Sequence, residues 1–140
     1  MVKIVNIMIA VDDNGGMLFN GRRQSQDSAL REYILNITKN DVLWMNRYSL
    51  RQFATVPPNV RISEDYLSEA GRGEYCFVED KGIGEVSDRL EMLILFHWNR
   101  SYPSDMKLDY DPLSNGMHMQ RTEDIVGQAH EKITVEVWEK

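Results

Sequence analysis

Residues 2–11 read VKIVNIMIAV, and both alternating faces of this run are apolar. A strand with one wet face alternates apolar with polar residues. A strand apolar on both faces has to be buried between two layers. That requirement points to a sheet covered on both sides, built within one domain of 140 residues. The turn formers Asp12-Asp13-Asn14-Gly15-Gly16 end the run. The other end of the chain carries the opposite signature. There Ile133, Val135 and Val137 alternate with Thr134, Glu136 and Trp138, as in a half-buried antiparallel strand, and residues 118–126 are its hairpin partner.

Strands and helices alternate between these ends. Leu30, Ile34 and Ile37 share one helical face, with Ser25 or Asp27 placed to cap it. Residues 42–45 form a short buried strand that runs directly into a helix over 46–53, which Pro57-Pro58 ends. A weak strand over 59–62 precedes a helix that starts near Ser63-Glu64-Asp65 and stops at Gly71. Strands follow over 75–78 and 92–98. Residues 12–27 and 109–119 read as loops. The expectation is a single α/β domain over residues 1–140. Its central sheet is mixed and mostly parallel, flanked by helices and ending in an antiparallel hairpin.

Composition narrows the function. Hydrophobic residues make up 42% and charged residues 27%, the balance of a globular chain. A net charge of −6 repels phosphate backbones and argues against nucleic acid as a partner. No apolar stretch is long enough for a membrane span, and the start lacks a signal-peptide layout. One cysteine, Cys76, excludes an intrachain disulfide and a Cys-based metal cluster, so a cytoplasmic location is expected. His97, His118 and His130 are scattered singly, and no metal site is expected. Cys76 lies within an apolar strand and reads as core, and Trp44, Trp98 and Trp138 read as sheet-face packing.

Four segments, taken in order, resemble dihydrofolate reductases: IMIAVDDNGGMLFNG, QDSALREYILNIT, DVLWMNRYSLRQF, and the ending RLEMLILFHWNRSYPSD with HEKITVEVWEK. The resemblance covers well over half the chain. The middle, residues 55–91, matches poorly and reads as shortened, lacking a strand and a helix.

The resemblance implies an NADPH-dependent reductase of a pterin or related small molecule, as monomer or homodimer. Asp27 matches the family's catalytic, pterin-anchoring carboxylate. Asn46, Arg47 and Ser49 match the turn that holds cofactor phosphates, with Asn46 replacing a glycine. The family's Gly-Gly pair falls at Glu79-Asp80, and Gly82 and Gly84 are the nearest substitutes as cofactor-binding residues. The family's Leu-Pro-Trp segment is absent. Arg22 and Arg23 stand near its Trp, and Arg100 stands near the family's pterin-side Thr. These three arginines imply a substrate site suited to a more anionic ligand. The alternative is a non-catalytic module of the same fold that binds a nucleotide or other anionic small molecule.

Overall fold

The structure, a computed structural model, describes residues 4–140. Residues 2 and 3 of the expected first strand lie outside the described residues. The first strand, β1, runs over Val5–Val11. It is followed by β2 (Gly16–Phe19), β3 (Arg22–Arg23), α1 (Ser28–Ile37), β4 (Leu43–Met45) and α2 (Arg47–Leu50). Next come β5 (Val60–Ile62), α3 (Tyr66–Glu69), β6 (Tyr75–Phe77), a 3-10 turn over Gly84–Arg89 and β7 (Leu90–His97). The chain closes with β8 (Met106–Lys107), a 3-10 turn over Leu113–Asn115, β9 (His118–Ile125) and β10 (Ile133–Glu139).

Seven strands form one sheet in the order β5-β4-β6-β1-β7-β10-β9. The pairs among β5, β4, β6, β1 and β7 are parallel. The β10 strand pairs antiparallel with both β7 and β9. The sheet is therefore mixed, mostly parallel, and finished by a hairpin, as the two end patterns predict.

The doubly apolar first strand explains the layering. Val5, Ile7, Ile9 and Val11 join Leu93, Leu95, Cys76, Val78, the α3 residue Tyr66 and Ala70 just past it in one core. On the opposite face Met8 joins Ile94, Phe96, Phe77, Ile133, Val135, Val137 and the α1 residues Leu30 and Ile34. Each central strand thus sends successive side chains into two separate cores. Cys76 and Trp98 are core residues, as expected.

One expectation fails locally. The stretch read as loop from Asp12 to Asp27 contains β2 and β3, which pair with each other, and β2 also pairs with β8 in a second, three-stranded sheet. Asn20 and Gly21 form the two-residue hairpin turn, both with positive φ (52° and 71°). That conformation is what an Asn-Gly pair favours. The middle of the chain keeps β5, α3 and β6, so residues 55–91 complete the parallel side of the sheet. Among the described residues no helix is long and apolar enough to cross a membrane.

Candidate functional site

Two buried carboxylates organise the loops at the carboxyl ends of β1 and β7, where open α/β sheets place their ligands. Asp12, just past β1, accepts backbone N–H bonds from Asn14 (2.9 Å), Gly16 (2.7 Å) and Tyr102 (2.9 Å), and one from Gln24 Nε2 (3.2 Å). Burial pushes this carboxyl up, but the donors outweigh it and hold it below its ordinary value. Its net effect is to fix the loop that carries Tyr102.

Asp27 does the same for the turn between β9 and β10. It caps α1 by accepting from Ala29 N (2.9 Å). It also accepts from the backbone N–H groups of Gln128 (2.9 Å), Ala129 (2.7 Å) and His130 (3.1 Å), and bonds His130 Nδ1 (3.0 Å). Successive N–H groups of this kind form a nest for an anion. Gly127 makes the approach possible, because a Cβ there would lie 2.8 Å from Asp27 Oδ2. Burial pushes the Asp27 carboxyl up, yet Gln128, His130, Ala129 and Ala29 together bring it down to about 2.

The expected pterin-anchoring role of Asp27 thus meets a competing one. Its side chain is fully buried, and both oxygens are already saturated by the chain's own donors. A ligand would have to break that set to reach the carboxylate.

His130 is the residue that the sequence reading passed over. It stacks on Trp98 at 4.5 Å and 23°, which fixes the ring plane. With Asp27 on Nδ1, the hydrogen-bond pattern puts the proton there and leaves Nε2 as an acceptor. Two hydroxyls meet that nitrogen, Ser25 Oγ at 3.0 Å and Tyr102 Oη at 2.9 Å. Tyr102 Oη lies 3.4 Å from Ser25 Oγ.

Beside this cluster a cleft is lined by Ala10, Met17, Arg23, Gln24, Ser25, Glu79 and Trp98. Its free space is about 10 Å³, enough for a single water. Arg23 closes it from the hairpin side. Its guanidinium bonds Glu79 (3.0 Å) and the Tyr48 carbonyl (3.0 Å) and lies 4.4 Å from the centre of the Tyr48 ring. Its N–H donates to Tyr48 Oη (2.6 Å). Arg23 therefore serves as a strap between β3 and α2, and its charge is matched internally. Arg22 and Arg100 are exposed.

The expected cofactor residues can be tested in the same way, since a pyrophosphate needs uncommitted donors. Asn46 caps α2 by accepting from Ser49 N (2.9 Å), and its Nδ2 donates to the Asp80 carboxylate (3.0 Å). Arg47 has an exposed side chain, and its N–H is taken by Glu64 Oε2 (3.1 Å). Ser49 is fully buried, and its Oγ has no partner among the described residues. The Gly82–Gly84 segment does form an anion cradle, but Asp109 fills it, accepting from Ile83 N (2.8 Å) and Gly84 N (3.1 Å). Glu79 takes Arg23 and Gln52. The residues present fit a dinucleotide pyrophosphate only in part. The Arg47 N–H, Asn46 Nδ2 and the Ile83 and Gly84 N–H groups are held by carboxylates of the chain that would repel the incoming charge, whereas the exposed Arg47 guanidinium and the buried Ser49 Oγ are uncommitted. Among the described residues no group of three His, Cys, Asp or Glu side chains is placed to hold a metal ion.

No protein-family model matches the sequence, and no curated protein matches it. Among solved structures the chain is similar to dihydrofolate reductase from Enterococcus faecalis, in a complex with NADP(H) and RAB-propyl. The TM-score is 0.70 at 12% identity, over 97% of this chain and 95% of that one. The chain therefore has a dihydrofolate reductase-like fold. At that identity the likeness extends to the fold and no further.

Proposed function

We propose that this chain is a dihydrofolate reductase-like protein that works without NADPH, a non-redox derivative of the fold. One observation carries the reading: the Arg47 N–H, Asn46 amide and Gly82–Gly84 N–H donors expected of a cofactor groove are bonded by Glu64, Asp80 and Asp109 of the chain itself. The saturated Asp27 carboxylate points the same way.

The competing reading is the NADPH-dependent reductase with Asp27 as anchor. It requires Arg23 to leave Glu79, and Asp27 to leave the turn at Gln128–His130. An anionic small molecule, the ligand class suggested by the three arginines, would meet the exposed Arg22 and Arg100 first.

NADPH titration decides between the readings. A reductase saturated at a hundred times its Kd would gain about 2.7 kcal/mol of stability, a plain rise in melting temperature. The expected result is no change in melting temperature or cofactor fluorescence at about 1 mM NADPH, a saturating level for ordinary binding. A saturable shift, with loss of cofactor absorbance on adding dihydrofolate, would overturn the proposal.

A further inference from the structure

We infer that Ser25, His130 and Asp27 form an acyl-transfer triad, with Ser25 Oγ as nucleophile toward small activated acyl groups such as short-chain esters. The inference does not rest on the fate of the cofactor groove, since none of the three residues belongs to it.

The geometry supplies a nucleophile, a base and an orienting carboxylate in line. The nucleophile and base lie 3.0 Å apart, and the base and its orienting carboxylate lie 3.0 Å apart. Asp27 and His130 are buried, while Ser25 is half-buried and lines a cleft. Backbone N–H bonds keep the carboxylate ionised, so it holds Nδ1–H and stabilises the imidazolium that forms when His130 takes a proton. Stacking on Trp98 prevents the ring from turning away.

A purely structural clasp would need only the Asp27–His130 bond and one hydroxyl on Nε2. Here Nε2 has one lone pair and meets two hydroxyls. Ser25 and Tyr102 share that lone pair, and of the two Ser25 is the one that lines the cleft.

The step balances without a cofactor. Ser25 Oγ bonds the acyl carbon, and its proton passes to His130 Nε2. The bond from acyl carbon to leaving oxygen breaks, and His130 returns the proton to the departing alcohol. Water then adds to the acyl-serine, and His130 again accepts and returns the proton, releasing the acid and free Ser25. Gln24 lines the same cleft, and its buried Oε1 has no donor among the described residues, so it can accept from a water there.

The test uses the full chain and a fluorophosphonate probe, with the labelled peptide identified by mass spectrometry. Folded wild type is expected to label at Ser25, and to give a burst of nitrophenol from p-nitrophenyl acetate. Ser25→Ala should abolish both. His130→Gln should slow labelling by about 100-fold or more, the ordinary contribution of a general base. Tyr102→Phe should keep the label. Urea-unfolded wild type should lose it, which separates activation by the fold from ordinary serine reactivity even where a variant unfolds. An unlabelled Ser25 in the folded protein, equal labelling after unfolding, or an undiminished rate in folded His130→Gln would each overturn the triad. NADPH titration and Ser25 labelling read different signals, so failure of the one proposal is distinguishable from failure of the other.

Discussion

Asp27→Asn is the perturbation with the largest expected effect. The carboxylate receives N–H bonds from Ala29, Gln128, Ala129 and His130 and the imidazole of His130, all out of water. An amide nitrogen in place of one oxygen would face those donors with another donor. Removing one partner of a buried charged network costs about 3–5 kcal/mol. The pH dependence isolates the part due to charge. The carboxyl falls from 3.8 to about 2 on folding, and at 1.36 kcal/mol per unit this contributes about 2 kcal/mol. Because the folded value is the lower one, that stability is fully present well above pH 3.8 and is lost as pH falls through about 2. Urea unfolding followed by tryptophan fluorescence measures both terms. At neutral pH the variant midpoint should drop by about 2 M, for a slope near 2 kcal/mol per molar. Between pH 5 and pH 2 the gap between wild type and variant should narrow by about 2 kcal/mol. A gap that stays constant over that range would refute the assignment of the carboxylate to the turn.

Three further outcomes follow from the same geometry. Gly127→Ala places a Cβ against Asp27 Oδ2 and the His130 carbonyl, and should cost about 1–3 kcal/mol in thermal melts; a loss under about 0.5 kcal/mol would mean the turn gives way freely. Cys76 is fully buried and burial pushes its thiol up to about 12, with Arg89 opposing and Glu74 adding to the shift. It should resist iodoacetamide at pH 8 in the folded protein and react after unfolding. Glu79→Ala releases the Arg23 guanidinium from its carboxylate and should lower stability by about 1–2 kcal/mol, with faster hydrogen exchange at the β2–β3 hairpin. Unchanged exchange there would show that the Tyr48 contacts alone hold the strap.

Periodicity revealed the fold because it reports burial directly. The doubly apolar first strand predicts two cores, and its odd and even residues enter different ones. The Asp27 cap is legible because it acts on an N–H group two residues ahead. The site depends on long-range partners. Asp27 and His130 lie 103 positions apart, and no local pattern links them. Glu64 looks like an acid at the head of its own helix, yet its oxygen binds the N–H of Arg47 on another. The β2 and β3 strands are too short for alternation to declare them strands.

The carboxylates that fill the groove have a consequence for how this protein behaves in a cell. A binding protein with open sites gains stability from whatever fills them, so its folded fraction follows the supply of ligand. Here the counter-charges of Arg47 N–H, Asn46 and the Gly82–Gly84 loop are covalently part of the same molecule. Their effective concentration cannot be diluted or competed away by metabolic change. If the proposed function holds, the folded fraction of this chain would not follow the supply of a dinucleotide.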